Sequence, residues 1–189
     1  MGDKKYGVIL ADPPWAYRVY TKKDGGRSAE SHYPTMSLAD IRALPVADIA
    51  DRDCALFMWA TLPQLQEAFS VIKAWGFTYK TVAFVWVKQN KKSDSLFWGM
   101  GYWTRCNAEL CLLATKGKPR RASAGVHQVI VSHVQEHSRK PEEVHERIIQ
   151  LMGDVPRAEL FARRKVDGFD VWGNEVESEI DWNTRKKEE

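Results

Sequence analysis

Residues 11–20 read ADPPWAYRVY, and Asp12-Pro13-Pro14-Trp15 sets a carboxylate, two stiff imides and an indole directly after the apolar run Val8-Ile9-Leu10-Ala11. Proline fixes its own φ and biases the residue before it towards extended backbone, so Asp12 and Pro13 are held stiffly. The Asp12 carboxylate and the Pro13 carbonyl are then fixed acceptors, and a planar amino group with two N–H bonds is a donor that suits both. Trp15 offers a flat π-surface for an aromatic base, a contact worth about 1–3 kcal/mol in nucleic-acid complexes. The stretch reads as a clamp for an exocyclic amine on an aromatic ring. Strand termination alone accounts for the prolines but does not need an aspartate before them and a tryptophan after.

The surrounding elements decide where such a clamp sits. Val8 to Ala11, stopped by Pro13, reads as a buried strand, and Cys54 to Ala60 as a second. Ser37 caps a helix with Asp40 in its first turn, running to about Leu44. Pro63 opens a helix with Leu65, Phe69, Ile72 and Trp75 near helical spacing, and Gly76 closes it. Residues 78–88, 108–115, 129–133 and 158–162 read as further strands. Pro141 starts a helix with Val144, Ile148 and Leu151 on one stripe, ended by Gly153. Residues 91–105 form a long loop with two glycines and several aromatics, of the sort that carries function. Strands alternating with helices predict a three-layer α/β fold, a mostly parallel sheet with helices on both faces. Ligands in such sheets bind beyond the carboxyl ends of the strands, and Asp12 stands at one.

The 189 residues are 44% hydrophobic and include eight tryptophans, enough for one core; the expectation is one domain over residues 1–180 and a charged tail over 181–189. No stretch approaches the roughly 20 apolar residues of a membrane helix and the N-terminus lacks the features of a signal peptide, which predicts no membrane partner and a cytoplasmic protein. Cys54, Cys106 and Cys111 contain no CxxC pair and fit reduced core thiols. His133 and His137 have no third ligand at clear spacing, so no metal is expected. The net charge of +3 hides cation clusters: Lys88, Lys91 and Lys92; Lys116, Lys118, Arg120 and Arg121; Arg139 and Lys140; Arg163, Arg164 and Lys165; Arg185, Lys186 and Lys187. Two or three of them on one face would hold a polyanion through its phosphates. Trp59 and Trp86, within strands, read as core. Asn107 and Glu109 are placed to orient Lys140 or substrate, though a solvated strand edge is the commoner meaning of such a pair. Tyr33, before a proline, either gates the target base or packs a loop.

Beyond these physical readings, Asp12-Pro13-Pro14-Trp15 matches the D/N-P-P-W/F/Y signature of methyltransferases acting on exocyclic amines of bases. With HYPTMS (32 to 37), FVWVKQN (84 to 90), NAELCLLATKGKP (107 to 119), SRKPEEVHERI (138 to 148), AELFAR (158 to 163) and VWGNE (171 to 175), the chain resembles the MT-A70 family of adenosine methyltransferases from residue 8 to about 176. The resemblance implies a Rossmann-like methyltransferase fold in permuted order, with the catalytic motif before the cofactor strand, and S-adenosylmethionine as cofactor. It implies catalytic roles for Asp12, Pro13, Pro14 and Trp15. It implies cofactor contacts from Ala11, Asp12, Ser138, Lys140, Phe161, Arg163, Asn174 and Glu175, and substrate contacts from Trp15, Tyr33, Asn107 and Glu109. Two departures bear on the cofactor strand: Ala162 stands where a glycine often follows the Leu-Phe pair, and Arg164-Lys165-Val166 replace residues that serve the ribose. The expected reaction is methylation of the adenine 6-amino group in nucleic acid, DNA ahead of RNA, in an assembly that allows a homodimer or a partner methyltransferase subunit; the alternative is a catalytically silent nucleic-acid-binding partner subunit.

Overall fold

The computed structural model describes residues 4–15, 35–101, 103–135, 139–180 and 182. Seven strands form one sheet: β1 (Tyr6–Ala11), β2 (Ala50–Ala60), β3 (Thr78–Gln89), β4 (Ala108–Lys116), β5 (Val129–His133), β6 (Arg157–Leu160) and β7 (Asp170–Trp172), in the order β5-β3-β4-β2-β1-β6-β7. The run Val8-Ile9-Leu10-Ala11 is fully buried because β1 lies between β2 and β6, parallel to both. Parallel pairing also joins β3 to β5 and β6 to β7, whereas β4 runs antiparallel to β2 and β3. The residues before β4 therefore lie at the edge where the parallel strands end. β2 begins four residues earlier than its apolar stretch suggests, and the three-residue β7 was not read from the sequence as a strand.

Helices cover both faces, as the α/β reading expects. Successive strand residues point to opposite sides, so Ile9, Leu56 and Met58 pack in one core cluster with Ile41, Val71, Ile72 and Trp75, from and beside α1 (Leu38–Ala43) and α3 (Leu65–Ala74). A four-residue helix, α2 (Val46–Ile49), adds Val46 to that cluster. Val8, Leu10, Phe57, Trp59, Phe84 and Trp86 pack on the other side with Val144, Ile148 and Met152 of α4 (Glu143–Met152). Ser37 caps α1 as expected, its hydroxyl accepting from the Asp40 N–H at 3.1 Å. Two helix registers differ from the sequence reading. After a turn of 3-10 helix (Leu62–Gln64), α3 turns Ala68, Val71 and Ile72 to the core, and Phe69, one position along, is exposed and meets Tyr79 edge-on. Met152 rather than Leu151 completes the buried stripe of α4. The tail residues 183–189 lie outside the described residues.

Among the described residues no helix is long and apolar enough to cross a membrane.

Candidate active site

Asp12 follows the last residue of β1 at the sheet's carboxyl edge, its backbone N–H reaching the Leu160 carbonyl at 3.4 Å. The alternation that sends Val8 and Leu10 to the α4 side sends the Asp12 side chain there too. Trp59 of β2 and Trp86 of β3 lie on the same side, edge to face with ring centres 6.5 Å apart. Lys140, in the loop before α4, donates from Nζ to Asp12 Oδ2 at 2.9 Å and lies 3.2 Å from Glu109 Oε2. Lys88 closes the chain, its Nζ 2.5 Å from Glu109 Oε1. Two cations and two anions thus alternate along one edge, Asp12, Lys140, Glu109 and Lys88. The ammonium of Lys140 sits 5.7 Å from the centre of the Trp59 ring and that of Lys88 4.8 Å from the centre of Trp86, within the range of cation–π attraction.

Glu109 is a correction to the sequence reading. As the second residue of a strand it resembles a solvated edge residue, yet it is buried, because β4 lies between β2 and β3 and pairs Glu109 with Trp86. Burial raises the cost of its charge, but Lys140 and Lys88 outweigh that cost, and its pKa falls below 4.5. Burial likewise opposes the Lys140 ammonium, and Asp12 and Glu109 overcome it, so the Lys140 pKa rises above 10.5. Asp12 moves the other way: desolvation raises its pKa above 3.8, with the pull of Lys140 opposed by the charge of Glu109. Asn107 is also no free edge residue. Its amide accepts from the Lys88 N–H at 3.1 Å and donates to the Lys88 carbonyl at 2.9 Å and to the Phe97 carbonyl, tying the start of β4 to the end of β3. Lys88 was read only as part of a basic cluster; its place two residues after Trp86 in a buried strand is the signal that puts it on the Trp86 face.

Trp15 also departs from expectation. It is 5% exposed, packs in the core on the α1 and α3 side and donates its indole N–H to the Trp59 carbonyl at 3.2 Å, so it braces the Pro-Pro turn instead of presenting an open stacking surface. The turn is braced again where Pro13 O accepts from the Trp15 N–H at 2.8 Å and Pro14 O from the Met36 N–H at 3.1 Å. Each carbonyl keeps a second lone pair. Tyr33 and Ser138 lie outside the described residues.

The cofactor positions gather on the neighbouring strands. Phe161, directly after β6, holds φ at +63°, a left-handed backbone that costs a bulky residue energy and clusters at functional sites. It meets Trp172 edge-on at 5.3 Å. Ala162 donates its N–H to the Trp172 carbonyl at 2.9 Å, and a Cβ on Gly173 would stand 2.1 Å from the Ala162 carbonyl, so only glycine lets the ends of β6 and β7 come this close. Arg163 lies 3.8 Å from Glu175, beside the exposed Asn174. Ala11 is buried in the floor under Asp12. The site thus brings Asp12, Lys140 and Glu109 into contact, with Arg163 close enough to Asp12 for its charge to act there. Of the basic clusters, residues 88–92, 139–140 and Arg163 share this edge, while Lys116 and Lys118 lie at the opposite end, beside Cys54 and Asp53. Cys54, Cys106 and Cys111 are free thiols.

The MT-A70 family model matches residues 6–175, and the chain belongs to the MT-A70 family. It is 36% identical over 190 residues to the Type II methyltransferase M.MunI of a Mycoplasma species, an alignment covering 92% of this chain and 78% of that protein. It is 32% identical to the N(6)-adenosine-methyltransferase MT-A70-like protein of Drosophila melanogaster and 30% identical to the human N(6)-adenosine-methyltransferase catalytic subunit METTL3. Those alignments cover 84% of this chain but only 24% and 26% of the two proteins. The observed sheet, with six strands in one direction and helices on both faces, agrees with the Rossmann-like fold expected of the family.

Proposed function

We propose that the chain transfers a methyl group from S-adenosylmethionine to the 6-amino group of adenine in DNA. The observation that carries the reading is the Asp12 carboxylate, fixed at the carboxyl end of β1 between the Lys140–Glu109 network and the end of the neighbouring β6. The residues at these strand ends suit the cofactor by their donor set. Lys140 and Arg163 fit a carboxylate and hydroxyl oxygens, Glu175 and Asn174 fit ribose and adenine edges, and the close Gly173–Ala162 approach fixes the two strand ends that carry Arg163, Asn174 and Glu175. When bound there, the cofactor supplies an electrophilic methyl carbon on a sulfonium.

The chain's own residues do the rest. The adenine amine is a weak nucleophile because its lone pair is conjugated with the ring, so catalysis must favour a tetrahedral, increasingly positive nitrogen. Asp12 and the Pro13 carbonyl accept from that nitrogen and are stiffened before it arrives, so they stabilise developing charge more than the ground state. Lys140 holds Asp12 in place and spares it a lone buried charge, while Glu109 and Lys88 hold Lys140. The raised pKa of Asp12 makes it a better proton acceptor than an ordinary carboxylate as the product amine loses its proton.

The span of this chain over most of a Type II methyltransferase supports DNA; the relatives named for N(6)-adenosine favour RNA as the second reading. Incubation with labelled S-adenosylmethionine and DNA or RNA, followed by digestion to nucleosides, tests both. Label in N6-methyladenine from DNA is expected; label on RNA alone selects the second reading, and label on neither or on another base rejects both. We further propose a cytoplasmic setting, which the three free thiols support. A second copy or a partner methyltransferase subunit on the substrate groove is supported by the word subunit in a relative's name. Light scattering during turnover checks it: a fully active monomer would remove it.

A further inference from the structure

We infer that the loop joining β3 to β4 is an aromatic wedge, led by Trp103 and Trp98, that enters a DNA duplex beside the adenine delivered to Asp12; this rests on the function proposed above. Of the ten large hydrophobic residues exposed among the described residues, four lie in this loop, and they include the three most exposed: Trp103 at 93%, Met100 at 74% and Trp98 at 61%. Side chains of this size are rarely left in water without a partner.

The loop is built to present them. Its root is pinned by Asn107 to Lys88 and Phe97, by the Phe97 N–H to the Lys88 carbonyl at 2.9 Å, and by the Gly99 N–H to the Cys106 carbonyl at 2.8 Å. At the tip, a Cβ on Gly101 would stand 1.5 Å from the Thr104 carbonyl, so the chain turns back here in a way no other residue permits. A firm root and a tight tip hold Trp103 outward at little further ordering cost. The same root touches the reaction centre: Asn107 grips the backbone of Lys88, whose ammonium leads through Glu109 and Lys140 to Asp12.

Charge selects the partner. The loop carries exposed Lys91, Lys92 and Arg105 against one acid, Asp94, which faces His133 at 3.4 Å, and the exposed Arg139 lies next to Lys140 on the neighbouring loop. Aromatic side chains among cations fit a stacked polyanion better than a protein surface. An adenine in a duplex cannot reach Asp12 unless it leaves its stack, and an apolar side chain entering the gap stabilises the opened duplex.

The test uses the full chain with Trp103→Ala, Trp98→Ala and Trp103→Phe, on a phagemid as duplex and as single strands, in two assays: methyl transfer, and binding of a labelled duplex by fluorescence anisotropy. Trp103→Ala is expected to lower kcat/KM on duplex about tenfold, Trp103→Phe to recover most of it, and the loss to shrink to about twofold on single strands, where no stack is opened. Duplex affinity should fall with Trp103→Ala, whether or not methyl is transferred. Unchanged transfer and unchanged binding, an equal loss on both DNA forms, or a change of oligomeric state on substitution would overturn the wedge. Trp103-dependent duplex binding without methyl transfer by the parent chain would instead reject the function and leave the wedge standing.

Discussion

The two edges of the sheet both carry charged residues, and they use them differently. At the amino edge Lys4 meets Asp170 at 2.5 Å, Tyr6 donates to Asp170 at 2.6 Å and Lys165 meets Glu179 at 3.0 Å, around a cavity of about 620 Å³ lined in part by Val155, Arg157 and Gly168. Both lysines there are more than half exposed, so water screens the pairs. At the carboxyl edge Lys88, Glu109 and Lys140 are each less than a fifth exposed, and Glu109 and Lys140 each serve two partners. Taking these groups out of water is costly and worthwhile for folding only if the network stays whole. Desolvated, shared charge is what sets the carboxyl edge apart.

Asp12→Ala should break the comparison most severely, lowering methyl transfer about 10²–10³-fold, as expected for a group aimed at developing charge, and lowering the thermal transition because Lys140 keeps only Glu109 as a partner. Incorporation of labelled methyl and a melting curve check it, and a variant with full turnover would end the role given to Asp12. Glu109→Gln leaves Lys88 and Lys140 buried without their shared carboxylate and should cost about 3–5 kcal/mol in denaturant unfolding. The matched change at the other edge, Lys4→Ala, should cost less than about 1 kcal/mol. Equal losses at the two edges would erase the distinction.

Protonation sharpens it further. In the proposed reaction Asp12 accepts from the amine only when ionised, so its raised pKa is expected to place the acid limb of the pH–rate profile above that of an ordinary carboxylate. Lys140 pulls that pKa down, so Lys140→Gln should move the limb to higher pH, and should also weaken S-adenosylmethionine binding by calorimetry. For stability the signs are fixed by the folded values. Glu109, lowered by burial outweighed by two lysines, contributes above its ordinary 4.5 and loses the contribution as pH falls through its lower folded value. Lys140, raised, contributes fully below its ordinary 10.5 and loses it as pH climbs towards its higher folded value. Glu109→Gln should flatten the acid side of the stability curve measured by urea unfolding. A smaller effect on function is expected beyond β6: Arg163→Ala should weaken cofactor affinity about tenfold, roughly one charged hydrogen bond, and unchanged calorimetry would remove it from the cofactor site.

How much of this was legible in the residues depends on whether the information was local. The strand ending in Asp12 was legible because an apolar run stopped by two prolines has one reading, and Trp59 and Trp86 announced themselves as core by their β-rich surroundings. Ser37 and Asp40 gave the start of α1. The burial of Glu109 was not legible, because it depends on the direction and register of β4 between two distant strands, and a strand buried on both faces carries no mark of its direction. Trp15 looked like a stacking platform because an indole beside prolines invites that reading; its hydrogen bond to a carbonyl on another strand cannot be foreseen locally. Phe69 is exposed because α3 turns Ala68, Val71 and Ile72 to the sheet, a choice of face that the spacing of Leu65, Phe69 and Ile72 does not fix.

The reversal of β4 also separates two inheritances. Because β3 and β4 are neighbours joined as a hairpin, the segment between them can lengthen, shorten or exchange its aromatics without disturbing β6 and β7 across the sheet. Under the proposed function, recognition of the polymer by one segment and binding of the methyl donor by the other are thereby free to change at different rates, with the Asp12–Lys140–Glu109 bridge as their common hinge.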